Sequence, residues 1–276
     1  MKSAIHIALF FYFYITNKTY PVMESRSLNE SELRRYSSQI KKLSRGAEDQ
    51  QRIKDASILV IGAGGKGTSV LQNLATAGIG QIGIADNFPV EEKYLSKQRL
   101  YGSVDIGKEK AIISKQKLKD LNHLIDFELH NVCINSKNIL DICREYKIII
   151  DATDNFPARY LINDAAVILN KPVVFGSVFN SLGMVTVFNL NKGPTLRCLY
   201  PDPPSGDEKP EIKSIAGIGI LYNIVGTIMA NEALKIILQI ENILSGKLLI
   251  FNISDYSISF KSIKLNPVNL KISALD

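Results

Sequence analysis

A glycine-rich turn between two short apolar runs limits what this chain can fold into more than any other stretch. Residues 57–86 read S-I-L-V-I-G-A-G-G-K-G, a helical run, and then Q-I-G-I-A-D. Residues 57–61 are a short, largely β-branched run ending in glycine, the pattern of a parallel strand buried on both faces. Gly62, Gly64 and Gly67 then space as G-x-G-x-x-G, with Gly65 a further glycine inside the turn. Such a turn brings the free N–H groups of a helix start close to a phosphate, with no Cβ in the way. The spacing predicts a helix over 66–77 that stops at Gly78, and a second strand over 81–85 that ends in Asp86. An acidic residue about twenty positions after the last glycine is where a ribose hydroxyl would be hydrogen-bonded. Glycines alone would also suit a merely structural turn. Strand, glycine loop, helix, strand and acid in this order select a nucleotide site.

The rest of the chain repeats the alternation and then abandons it. Upstream, Ser27-Leu28-Asn29-Glu30 reads as a capping box, and 29–43 as one polar helix with Leu33, Tyr36, Ile40 and Leu43 along a face. Gly46 ends that helix, and a short second one leads into the first strand. Downstream, an amphipathic helix is expected from near Gly107, strands over 125–132 and 147–152, and helices over 136–146 and up to Leu169. P-V-V-F-G-S-V and M-V-T-V-F-N-L read as consecutive strands with Gly183 between them. A proline-rich loop, a long apolar helix over 218–240 and two closing strands over 247–253 and 257–264 follow. The whole predicts an α/β fold: a Rossmann-like, doubly wound, mostly parallel sheet, extended by antiparallel strands in the C-terminal half.

At 276 residues the chain has room for one large domain or two small ones, and the pattern favours a single domain over 23–270. The net charge of +6 is spread without an arginine block. It suits anionic ligands and gives no reason to expect nucleic acid. Cys133, Cys143 and Cys198 are widely spaced and odd in number, as reduced thiols of a cytoplasmic protein would be. After Lys2, residues 4–15 form an apolar run too short to span a bilayer, with no small-x-small cleavage site behind it. The run looks like the front half of a signal peptide, and residues 1–22 are read either as upstream translation or a poorly packed extension, the preferred reading, with Met23 opening a credible start, or as a true targeting segment. A cytoplasmic location without stable membrane association is the expectation.

In an open α/β sheet, ligands sit beyond the C-terminal strand ends. This gathers Gly62, Gly64, Gly65, Gly67, Asp86 and residues 151–155 around one crevice. Asp154, just past a buried strand, suits a metal or nucleotide role; it would equally cap the helix beginning near Pro157. Lys108 and Lys110, near a helix start, could meet phosphates or simply be solvated. His6, His123 and His130 form no cluster, and nothing reads as a nucleophile triad or metal box. The chemistry expected is on phosphates, without an acyl-enzyme.

R-R-Y-S-S-Q-I, K-D-A-S-I-L-V-I-G-A-G-G-K-G, I-G-K-E-K-A, D-A-T-D-N-F-P-A-R-Y-L-I-N-D, K-P-V-V-F-G-S and R-C-L-Y-P-D-P-P follow in this order between 31 and 265. Together they resemble the MoeB/ThiF/HesA family, the bacterial relatives of ubiquitin-activating enzymes. The resemblance implies an adenylation domain that presents the C-terminal glycine carboxylate of a ubiquitin-fold sulfur carrier (ThiS- or MoaD-like) to the α-phosphate of Mg-ATP. It also implies a homodimer. By motif, Gly65 approaches the nucleotide, Asp86 holds the ribose, Lys110 meets the phosphates and Asp154 holds Mg²⁺, with Asn155 beside it. Arg159 matches the arginine of T-D-N-x-x-x-R, Gln98 the glutamine of an R-Q pair, and residues 200–212 the loop under which the carrier's tail threads.

The departures are specific. Ser38 stands where the family has an arginine that reaches the partner's ATP. Arg34, one turn back, is the replacement expected, with Arg35 beside it; fingers of this kind are worth about 10³–10⁵ in rate in related reactions. Tyr94 replaces an asparagine and Lys97 an arginine, a point charge for a bidentate fork. Phe88 replaces a second acidic residue. The family's two zinc-binding C-x-x-C pairs are reduced to Cys198, with Thr195 at its partner position, so no structural zinc is expected. A residue near Lys213 replaces the thiol many members carry. Two alternatives remain at this point: a relative that binds nucleotide or carrier without turnover, and an NAD(P)-dependent oxidoreductase.

Overall fold

The computed structural model describes residues 27–202 and 219–275. The extension over 1–22, most of the loop over 200–212, the Lys213 position and Ile218, the first residue assigned to the long helix, lie outside them. The described chain opens with α1 (Glu30–Arg35), α2 (Ser37–Ile40) and α3 (Ala47–Lys54). The capping box is formed by Asn29 and Glu32, two residues on from the expected Ser27 and Glu30: each side chain accepts the other's backbone N–H. The single helix expected over 29–43 is divided at Tyr36, whose backbone leaves the helix at φ −93, ψ 9. Its ring lies against Gly78, and its phenol oxygen accepts from Asn122 Nδ2 at 2.8 Å. Leu33 is exposed, and of the expected apolar face only Tyr36 is fully buried.

β1 (Ser57–Ile61), α4 (Gly65–Ala77) and β2 (Gln81–Ala85) follow, both strands at the bounds expected. Gly78 closes α4 in the left-handed conformation, φ 90. α5 (Lys110–Leu121) starts later than Gly107, because Gly107 turns the chain at φ 82 beside a bridge between Pro89 and Glu109. β3 (Asp126–His130), α6 (Ile139–Arg144), β4 (Ile148–Asp151) and α7 (Phe156–Ile168) complete the alternation. β5 (Val173–Phe179) and β6 (Leu182–Phe188) form a hairpin. Its turn is built on Asn180, at φ 51; Gly183, expected between the strands, lies within β6 opposite Val178. Then come α8 (Leu196–Leu199), α9 (Ile220–Leu238), β7 (Lys247–Asn252) and β8 (Ile258–Ser262).

The strands make one sheet in the order β3-β2-β1-β4-β5-β6-β7-β8. Pairs from β3 to β5 are parallel, and pairs from β5 to β8 antiparallel. This is the doubly wound α/β sheet with an antiparallel extension. Helices cover both faces, which is why β1 and β4 are buried throughout. One face packs Ile58, Val60, Ile82 and Ile84 under Leu71, Leu74, Val225 and Met229. The other packs Leu59, Ile149 and Phe175 against Cys143, Tyr160 and Ile162. β2 lies on one side of β1 and β4 on the other, so the loops leaving β1 and β4 part and open a crevice between them.

Candidate active site

The loop leaving β1 forms one wall of this crevice. Gly62 takes φ +95, and a Cβ on Gly67 would lie 1.8 Å from the Gly62 carbonyl oxygen, so both positions exclude a side chain. Gly64 precedes α4 with no side-chain cap, leaving the first-turn N–H groups for an anion. The loop is held from two sides at Ala63. Its N–H donates to Asp86 Oδ2 at 2.8 Å, and its carbonyl accepts from the Tyr101 hydroxyl at 3.0 Å. The other oxygen of Asp86 accepts the Phe88 N–H at 2.8 Å, so the carboxylate expected at the ribose also anchors the loop. Burial, added to by the nearby charges of Asp86 and Asp105, raises the Tyr101 phenol above its ordinary range. It therefore stays a neutral donor.

Gln98 lies buried beside Gly64, with its Oε1 unpartnered. A buried acceptor without a donor is costly in an empty protein and is satisfied by a ligand's N–H. Lys97 Nζ lies 5.0 Å from the Tyr222 ring centroid and 5.8 Å from that of Tyr94. The tyrosine that departs from the family pattern thus helps hold the lysine that does. Lys110, buried at the start of α5, has its Nζ 5.6 Å from the Phe88 ring centroid.

The loop leaving β4 forms the opposite wall. Asp151 Oδ1 accepts from Thr153 N–H at 2.9 Å and from its hydroxyl at 2.6 Å. Asn155, not Asp154, caps α7, accepting the Ala158 N–H at 2.9 Å. This decides between the two readings left open for Asp154 as far as capping goes. Asp154 is exposed, and its carboxylate has no hydrogen-bond partner among the described residues. A single free carboxylate suits Mg²⁺, an ion that takes most of its oxygens from phosphates and water. No group of three or more His, Cys, Asp or Glu side chains converges among the described residues.

Of the two arginines expected at the chemistry, Arg159 is engaged within the β4 loop and Arg34 lies on the surface. Arg159 is buried, donating from Nη2 to Ser177 Oγ at 3.2 Å and to the Thr153 carbonyl at 3.3 Å. It lies between the Phe156 and Phe175 rings, 5.1 Å from each centroid, and so supports the β4 loop from behind. Arg34 is on the surface, bonded to Glu30 and Ser31. The neighbouring Tyr36 packs on Gly78, at the far end of α4 from the glycine loop. A helix of 13 residues puts it roughly 20 Å away. Arg34 does not join the crevice of its own chain.

Lys66 and Tyr101 were not foreseen. Lys66, 3% exposed, donates from Nζ to the Thr153 carbonyl at 2.8 Å. Burial, and secondly the Arg159 charge, push its pKa down to about 8 against the pull of Asp151 and Asp154. A lysine opening a helix ordinarily reads as solvated, and only the fold brings Thr153 to it.

The C-terminal segment adds a fourth cluster. Cys198 Sγ accepts from the backbone N–H groups of Thr195 and Asn266 and from Asn269 Nδ2, each at 3.4 Å. Burial works to raise the thiol's pKa, but these donors outweigh it and hold it below the usual value. Asn266 and Asn269 thus stand beside Cys198, and no second cysteine does. One sulfur with a threonine and two asparagines does not fit zinc.

With the crevice described, comparison with known proteins decides the family. The ThiF family profile matches residues 36–272. This chain belongs to the ThiF family. The sulfur carrier protein adenylyltransferase of Thermus thermophilus is 41% identical over 243 residues, covering 86% of this ThiF-family chain and 90% of that protein. The probable adenylyltransferase/sulfurtransferase MoeZ of Mycobacterium tuberculosis is 37% identical over 260 residues, 92% of this chain and 66% of that one. Adenylyltransferase and sulfurtransferase MOCS3 of Anopheles gambiae is 39% identical over 240 residues, covering 87% of this chain, and the chain spans 54% of that protein's length. A crystal structure of E. coli MccB shares the fold, with a TM-score of 0.74 at 24% identity over 89% of this chain and 75% of that one. Membership of the ThiF family sets aside the NAD(P)-dependent oxidoreductase.

Proposed function

We propose that this ThiF-family chain is an adenylyltransferase that activates the C-terminal glycine carboxylate of a ubiquitin-fold sulfur carrier, of ThiS or MoaD type. It works as a Mg²⁺-dependent homodimer in the cytoplasm. The observation that carries this reading is the crevice itself. A side-chain-free glycine loop clamped by Asp86 and Tyr101 faces a loop whose one free carboxylate is Asp154. The name of the Thermus relative supports the carrier as substrate.

In the reaction, a carrier carboxylate oxygen attacks the α-phosphorus of ATP. The bond to the β-phosphate oxygen breaks, and pyrophosphate leaves. Such a transfer needs alignment and charge neutralisation more than covalent help. The α4 N–H groups and Lys110 would receive phosphate oxygens, Asp86 the ribose and the Gln98 amide the base. Asp154 would hold the Mg²⁺, which neutralises phosphate charge when bound. The distance of Arg34 from its own crevice supports the dimer, because only a partner's Arg34 could act there. Three free cysteines support a reducing compartment.

One observation favours binding without turnover: Lys97 is engaged by two tyrosine rings. ATP–pyrophosphate exchange separates the readings. Exchange that requires the carrier supports adenylation; ATP or carrier binding without exchange supports the second reading and overturns the first.

A further inference from the structure

Lys66 is a buried ionisable group that the proposed reaction does not use. It sits in the first turn of α4, between Gly65 and Gly67, with 3% of its surface exposed. Lysine is almost never buried to this degree without a carboxylate. Among the described residues no carboxylate lies within ion-pair distance, and its Nζ donates to a neutral acceptor, the Thr153 carbonyl. An apolar side chain of similar length would fill the same space without desolvating a charge. Packing therefore does not account for a cation here, whereas the hydrogen bond across the crevice floor does.

That bond completes a set. Thr153 has its N–H and hydroxyl bound to Asp151, and its carbonyl bound to Lys66 and to Arg159. Two residues later Asn155 is fixed as the cap of α7. Asp154 is left as a free side chain on a backbone held at both ends. The Lys66 end is equally fixed: a Cβ on Gly226 would lie 2.5 Å from the Lys66 carbonyl oxygen, so α9 presses directly on this turn.

We infer that Lys66 is a positioning residue that ties the phosphate-binding loop to the Asp154 loop, so that the free carboxylate is held toward the nucleotide. The inference rests on Asp154 as the Mg²⁺ residue of the adenylation reading. Residues that orient a metal ligand typically affect metal affinity by roughly 10–100-fold when removed.

The test is calorimetric binding of ATP to the full chain, with and without Mg²⁺, for the wild type, Lys66→Met, Lys66→Arg and Asp154→Ala. Carrier-dependent exchange is measured alongside. In the wild type Mg²⁺ tightens ATP binding, and Asp154→Ala loses that gain. Lys66→Met is expected to lose the gain by roughly tenfold or more, while Mg²⁺-free ATP affinity and the thermal midpoint hold. Lys66→Arg, which keeps the cation, recovers part of it. Three results overturn the inference: full Mg²⁺ enhancement in Lys66→Met, equal loss of ATP affinity with and without the metal, or a Lys66→Met chain that unfolds while Lys66→Arg does not. A wild type with no Mg²⁺ enhancement overturns it too. Absence of exchange with the binding pattern intact overturns adenylation and leaves Lys66 as inferred.

Discussion

Asp154 is exposed and without a hydrogen-bond partner, while its neighbours Thr153 and Asn155 are both fixed. Among the described residues no hydrogen bond or ion pair holds its side chain. Substitution to alanine is expected to leave the thermal midpoint unchanged, since surface changes of this kind stay within about 0.5 kcal/mol, and to abolish carrier-dependent exchange. A melt beside the exchange assay checks both, and an active Asp154→Ala removes the Mg²⁺ assignment. Residues of this sort were legible in the sequence because their signal is local. The glycine loop, Asp86 and T-D-N are short motifs at strand ends. Tyr101 and Lys66 were not legible, because their partners Ala63 and Thr153 reach them only through the fold.

At the scale of elements, α9 lies across α4 at small residues. Ser69 Oγ donates to the Asn223 carbonyl at 2.8 Å, and the backbone of Gly226 approaches Lys66 and Ser69 too closely to admit a side chain. Gly226→Val is therefore expected to destabilise the chain by about 1–3 kcal/mol, read as a lower midpoint in urea. An unchanged midpoint would mean that the two helices do not meet as described. The buried strands β1 and β2 were predictable to the residue, because one polar residue opens each, a short, mainly apolar run follows, and Gly62 or Asp86 closes it. The N-terminal helix was not. Its break at Tyr36 depends on Gly78 and Asn122, remote in sequence, and a helical repeat carries no sign of that contact. The β5–β6 turn was misplaced for a different reason: asparagine, at Asn180, supplies the left-handed residue that glycine was expected to supply.

At the scale of the whole molecule, one chain holds the crevice but not its expected arginine. If Arg34 serves the partner's site, Arg34→Ala and Asp154→Ala are each inactive alone. Mixed and re-equilibrated, they regain roughly a quarter of wild-type exchange, because half the dimers are mixed and each has one intact site of two. Mixing without recovery would show that Arg34 does not act across a dimer. The central claim, transfer of AMP to a carrier carboxylate, is tested most directly by the products. The full chain is incubated with ATP, Mg²⁺ and a ubiquitin-fold sulfur carrier, and the carrier's mass and the released phosphates are read. Pyrophosphate, with AMP joined to the carrier and lost when its terminal glycine is deleted, is the result predicted. ADP and phosphate with an unmodified carrier would contradict it.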